Sequence, residues 1–420
     1  MFRAITNAFK IKEIRNKILF TLGILALYRL GANIPVPGVD PSKIFEQVEA
    51  GLLGMMDLFS GGALSNFAVF SLGIMPYITA TIILQLLQVV IPKLEQMAKE
   101  GEQGRRKINQ IARYMTVGLA IMQSTAMVFT FKNYGVIPVF DPMHASLIII
   151  TLTAGTTLIM WLGELINIHG IGNGISLIIF ANIISRIPGQ IVSLFRFRST
   201  SYLNLLLFAI LAIATIIAVI LIQEGERKIP VQYAKRIVGR KVFGGQSTYI
   251  PLKVNQSGVM PIIIAISVLL FPATIAQFTP VGWIQSIANA LSPTIEGRIN
   301  PIYAIIYTIL IIVFAYFYTA ITFNPLDTAD TLRKYGGFIP GIRPGKSTAD
   351  YLSNILNRIT LPGAIFLAII ALLPEILISY MNIPFKFGGT SIIIAVGVAL
   401  ETMRQLESQL TMRDYEGFLK

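Results

Sequence analysis

The sequence predicts an all-α polytopic membrane protein, and three observations carry that prediction. Ten apolar stretches, each of a length to cross a bilayer, alternate with polar loops. Apolar residues make up 54% of the chain and charged ones 13%, with a mean hydropathy of +0.69; a soluble domain of this size has no use for so much apolar surface. The Lys and Arg residues, finally, collect in alternate loops.

The stretches run over 18–33, 67–91, 110–131, 145–165, 173–193, 203–223, 257–276, 301–322, 359–380 and 391–409. A span needs about 20 apolar residues, because the hydrocarbon core is about 30 Å thick and a helix rises about 1.5 Å per residue. Bare backbone groups in lipid cost several kcal/mol each, so only helices or a closed barrel can cross. The stretches lack period-2 alternation, which selects helices. The first follows a basic segment and runs into Pro35-Val36-Pro37-Gly38 without a small-residue cleavage site, so it reads as a retained span rather than a signal peptide.

Orientation follows from the bases. With the N-terminus inside, the inner loops hold 25 of the 34 Lys and Arg residues and the outer loops 7. That asymmetry places both termini in the cytoplasm and the protein in the cytoplasmic membrane. Arg186, Arg196 and Arg198 run against the bias, all in one outer loop. In a membrane protein a net charge of +13 reflects orientation and contact with anionic lipid more often than nucleic-acid binding.

Reaction chemistry is not visible. The chain has no cysteine and two separated histidines, His144 and His169, so neither a disulfide nor a metal cluster is expected. No Gly-rich phosphate loop or Ser-His-Asp set is present, and neither a cofactor nor an enzymatic activity is predicted.

Five spans precede residue 195 and five follow 202. An odd number per half gives the halves, 1–195 and 196–420, opposite topology, as in inverted repeats whose interface lies at the membrane midplane. Three segments depart from simple spans. Residues 52–66 are half apolar, too short to cross and broken at Gly61-Gly62. They either lie on the outer surface as an interfacial helix or sit at membrane depth, buried in protein or lining a cavity. The inner loops 224–256 and 323–358 exceed the usual length, and loops that long are often functional or disordered. In the second, Pro340-Gly341 and Pro344-Gly345 bracket Arg343 and hold it at the tip of a tight turn.

From RLGANIPVPGVD (29–40) onward the chain resembles the SecY family, the channel subunit of the protein-secretion translocon. FSGGALSNFAVFSLGIMPYITATIILQLL (59–87) resembles that family's plug and second span, and MWLGELINIHGIGNGIS (160–176) its fourth-to-fifth span signature. YAKRIVGRKVFGGQSTYIPLKVNQSGVMP (233–261) and GIRPG (341–345) resemble its two large cytoplasmic loops, and GGTSIIIAVGV (388–398) the start of its last span.

The resemblance implies a passive protein-conducting channel with a central pore between the halves, opening sideways between the second and seventh spans. It implies a plug over Met55, Met56, Asp57, Leu58, Phe59, Ser60, Gly61, Gly62, Ala63 and Leu64, and a pore ring of Ile74, Ile78, Ile175, Ile179, Ile263 and Ile394. A polar contact across the closed lateral gate falls on Gln85 and Asn255, and docking on Arg240, Lys241 and Arg343. The implied partners are the small subunits SecE and SecG, the motor ATPase SecA, translating ribosomes and secretory preproteins with signal sequences.

The residues agree with that assignment. Ile74/Ile78 and Ile175/Ile179 are i, i+4 pairs that project from one helix face, and a collar of Ile is a dry constriction that blocks ions by dewetting. Spacing alone does not separate such a collar from Ile that packs or faces lipid. A secondary transporter is the competing reading; it needs membrane-embedded carboxylates, and the candidates Asp57, Glu164, Glu375 and Glu401 all lie near span ends.

Overall fold

The computed structural model describes residues 8–39, 52–133, 135–137, 140–196, 202–233, 236–238, 241–243, 247–276, 282–295, 298–381 and 388–418. A helix occupies each of the ten expected spans: α1 (Lys12–Gly31), α3 (Met75–Val90), α5 (Glu102–Asn133), α6 (Pro142–His169), α7 (Gly174–Arg196), α8 (Tyr202–Glu224), α9 (Met260–Ala276), α11 (Pro301–Thr322), α13 (Lys346–Met381) and α14 (Gly389–Phe418). Short helices α2 (Leu52–Ser60), α4 (Pro92–Lys99), α10 (Gly282–Ala290) and α12 (Pro325–Lys334) lie between them. Among the described residues, six helices are by themselves long and apolar enough to span. Pro at the first turn starts α3, α4, α6, α11 and α12, where its missing N–H has no helical partner to lose. Asn300 and Asn324 cap α11 and α12 by accepting from Ile302 N and Leu326 N at 3.0 Å.

The second span begins later than its hydropathy predicts. Residues 61–74 are a succession of turns, with φ +42° at Phe67 and +58° at Gly73. The apolar character of this stretch reflects burial in protein: Phe67, Ala68, Phe70 and Leu72 are all enclosed. Its backbone is satisfied by an antiparallel bridge to 34–36, with Val36 N donating to Phe67 O and Val69 N to Ile34 O, both at 2.9 Å. At the other end, α3 and α4 meet at an angle of 102°, because Ile91 precedes Pro92 and is extended (φ −101°, ψ 110°).

The two long loops fold together. Strands β1 (Glu226–Tyr233) and β4 (Ser247–Lys253) form an antiparallel hairpin enclosing the short pair β2 (Arg236–Val238) and β3 (Lys241–Phe243). After the two-stranded β5 (Thr294–Ile295) and β6 (Arg298–Ile299), β7 (Gly337–Phe338) pairs with β1, so both loops share one sheet in the order β4-β1-β7. Ile229, Val231 and Leu252 pack beneath it on Leu332 of α12, Ile339, and Leu352, Ile355 and Leu356 of α13. Neither loop was expected to carry a core of its own.

Within the bundle, α3 packs on α5, α5 on α6, α9 on α11 and α11 on α13, while α3 against α9 and α7 against α14 join the first five spans to the last five.

Candidate functional site

All six expected ring residues belong to one apolar cluster at the centre of the bundle. Ile74, Ile78, Ile179, Ile263 and Ile394 are buried, and Ile175 is half-buried against them. Ile74 is not helical: it is the residue before α3 (φ −95°, ψ 0°) and accepts from Ile78 N at 3.1 Å. The pair is therefore joined across the start of a helix rather than along one. Ile175 and Ile179 lie on the first turns of α7, set by Asn173, whose carboxamide oxygen accepts from Ile175 N and Ser176 N at 3.1 and 3.3 Å.

On one side of the cluster opens a polar cavity of about 690 Å³. Ile78, Ile175, Ile179 and Ile263 line it together with Thr81, Gln85, Asn109, Asn173, Gln223, Asn255, Arg404 and Ser408. Arg404 of α14 donates to Gln223 O at 2.9 Å and pairs with Glu224 at 2.8 Å, bracing the end of α8 against the last helix. Lys253 in the same wall titrates below its usual range, first because it is partly buried and then because Arg404 stands nearby.

The short helix α2 packs against α7. Asp57, Phe59, Ser60, Gly61, Ala63 and Leu64 are buried, and Met56 and Gly62 half-buried; Met55 and Leu58 complete the helix. Phe59 joins the cluster that holds the Ile ring, while Leu64 joins a second cluster with Val36, Phe67 and Phe131. The described side chains between 56 and 64 are thus enclosed in protein, which favours the buried reading of this segment over an interfacial one. Gly61 and Gly62 take φ of +68° and +93°. A side chain there would meet Asn182 at 2.5 Å or Arg186 at 3.4 Å, so the glycines permit close approach to α7 as well as a turn.

Residues 68–403 match the SecY family model. The chain belongs to the SecY family. It is 48% identical to the protein translocase subunit SecY of Streptomyces griseus over 441 aligned residues, covering all of both chains. Two solved structures share the fold, each aligned over 96% of both chains. One is of a SecY protein whose plug domain is described as stabilising the closed state of the translocation channel and maintaining a membrane seal, with TM-score 0.68 at 22% identity. The other is Sec61 in the canine ribosome-channel complex of the endoplasmic reticulum, with TM-score 0.67 at 21% identity.

Other expectations drawn from SecY fare unevenly. Helices α3 and α9 are in contact, and Gln85 and Asn255 line the same cavity, but they do not bond to each other. Asn255 donates to Gly258 O at 2.9 Å and accepts from Ser257 Oγ at 3.1 Å, shaping the turn into α9, whereas Gln85 Oε1 is buried without a partner. Arg343 is exposed at its turn, between Gly341 and Gly345 with φ of +81° and +102°. Lys241 opens β3, and Arg240 lies outside the described residues.

The carboxylates that suited a transporter are placed otherwise. Asp57 pairs with Arg186, Glu164 with Arg113 across α5 and α6 at 2.7 Å, Glu401 is exposed at the cavity rim and Glu375 abuts Gly388. Sequence reading had singled out Asp57 and Arg186 separately, one as a candidate relay and one as a charge against the bias, without joining them. Asn182 was missed; its one signal was its place a helical turn before Arg186.

Proposed function

We propose that this SecY-family chain is a passive protein-conducting channel. It passes unfolded secretory polypeptides through the cytoplasmic membrane and releases membrane segments sideways between α3 and α9. The supporting observations are a cavity lined both by polar side chains and by Ile78, Ile175, Ile179 and Ile263, and a buried short helix whose Phe59 packs in the same apolar cluster as those residues. A collar of aliphatic side chains has no water to carry ions and no donor to hold a passing polypeptide. A carrier would need a charged or hydrogen-bonding site at that constriction; Asp57 and Glu164 are instead paired with arginines, Glu401 is exposed at the cavity rim and Glu375 lies against Gly388. In this reading the chain hydrolyses nothing, and a motor ATPase (SecA) or a translating ribosome supplies the drive.

In the same reading both termini and the β4-β1-β7 module are cytoplasmic, the halves 1–195 and 196–420 are inverted, and SecE and SecG complete the complex. Arg343 at an exposed tip, supported by a sheet that unites both loops, suits a docking contact, since Arg grips carboxylate or phosphate with two parallel hydrogen bonds. The test is reconstitution with SecE, SecG and SecA in liposomes of mixed neutral and anionic lipid. Protease-protected import of a secretory precursor on adding ATP is expected. Import that fails in the complete system, with the protein folded and inserted, overturns the channel.

A further inference from the structure

Asp57 carries a negative charge in the last turn of α2 with its side chain only 4% exposed. That end of a helix is where a carboxylate is least welcome, because the exposed carbonyls already give it partial negative charge. The structure answers with donors from two neighbouring spans. Arg186 of α7 pairs with Asp57, and Asn182, one turn earlier on the same face, donates to Phe59 O at 2.6 Å. From α1, Arg29 donates to Gly61 O at 2.9 Å. Ser65 closes the cluster from the plug's own turn, its backbone N donating to Asp57 Oδ1 at 2.9 Å. Gly61 and Gly62 are what let the donors approach: a Cβ at Gly61 would stand 3.0 Å from the Arg29 guanidinium and one at Gly62 3.4 Å from that of Arg186.

We infer that Asp57 and Arg186 form a charged latch that holds the plug shut and sets how good a signal sequence must be to open the channel. This rests on the channel reading above. Two features make it a latch rather than a static brace. The pair bridges the short plug segment and a fixed span, so displacing the plug necessarily separates the charges. The Arg186 side chain is also 20% exposed against 4% for Asp57, so the pair sits at the edge of the enclosed region rather than deep within it. The paired state is stabilised by mutual attraction at a largely dry contact, and the parted state avoids a bare charge in a dry place. The outer-face Arg that contradicts the charge bias thereby has a role.

The experiment compares the parent with Asp57→Asn, Arg186→Gln, the double neutral variant and the reversed pair Asp57→Arg/Arg186→Asp, each reconstituted with SecE and SecG. Resting ion conductance is read in planar bilayers, and export of a reporter with a crippled signal sequence is read in cells. Each single variant should raise both by roughly tenfold or more. The double neutral variant should be no leakier than the worse single, because both remove the same contact. The reversed pair should recover at least part of the seal, an outcome that a merely volumetric role for either side chain would not give. Arg186→Lys, which keeps the charge and loses the fork, should fall between parent and Arg186→Gln, and it serves if a neutral variant fails to insert. Variants that stay as tight and as stringent as a transporting parent overturn the latch alone, as does a double variant whose leak is the product of the two singles. A parent that fails to transport a reporter with an intact signal overturns the channel reading, and the latch with it.

Discussion

The crossing of α6 and α7 positions Ile175 and Ile179 of the proposed ring, and Gly174→Ala tests it. A Cβ on Gly174 would stand 2.0 Å from Gly163 O and 2.9 Å from Ile166 Cβ, whereas real contacts of this kind stay beyond 3.0 Å. The nearer obstacle is backbone, so no change of rotamer relieves it, and the two helices must part by about 1 Å. Gly174 N also donates to Asn167 Oδ1 at 2.7 Å, a bond that the parting stretches. Overpacking costs about 1–3 kcal/mol and a weakened hydrogen bond about 0.5–1.5 kcal/mol, together roughly 1.5–4.5 kcal/mol. The next residue is Ile175, so the displacement passes directly into the collar. In detergent the variant should lose roughly 3–6 °C in Tm, and in planar bilayers its resting conductance should exceed the parent's. The control is Gly189→Ala on the same helix, where a Cβ meets nothing within 4 Å; it should be neutral or slightly stabilised. A Gly174→Ala protein that melts with the parent and is equally tight refutes the placement of the ring by this crossing.

Three further outcomes are expected. Arg343→Glu should lower ATP-driven import at least tenfold while membrane level and Tm are unchanged, and Arg343→Lys should be measurably impaired because geometry as well as charge is used; full import by Arg343→Glu would end its docking role. Gln85→Leu removes a buried oxygen that has no partner, so it should favour the closed gate by about 1–2 kcal/mol and reduce export of a reporter with a weakened signal; raised export would contradict this. Lys253 titrates below its ordinary value of 10.5, so its charged form is disfavoured by folding. That penalty is present below its folded value and fades as pH rises toward the unfolded one. Lys253→Met should therefore melt above the parent at neutral pH, with the gap closing as pH rises toward the ordinary lysine value of 10.5.

Hydropathy located all ten helices, because lipid demands continuous apolar helix whatever the tertiary packing. It misplaced the start of α3, since Phe67–Leu72 are apolar for contact with protein and their backbone pairs with 34–36. Periodicity could not have found β7, a two-residue strand whose pairing with β1 depends on a loop about a hundred residues away. The candidate site divides similarly. The Ile positions were singled out through resemblance, and all six lie in one apolar cluster. Gln85 and Asn255 were expected to meet, but Asn255 finds nearer partners in Ser257 and Gly258, as short polar side chains beside turns commonly do. The Asp57–Arg186 pair joins residues 129 apart, and no local signal connects them; the only hint was that each was anomalous where it stood.

The most direct test of the central claim, a passive pore sealed by an Ile collar and a short plug helix, is ion conductance in planar bilayers by Ile78→Gly combined with deletion of residues 57–63. With both barriers weakened, the complex should insert normally and conduct ions at rest well above the parent. A correctly inserted double variant that remains as tight as the parent would show that the seal lies elsewhere.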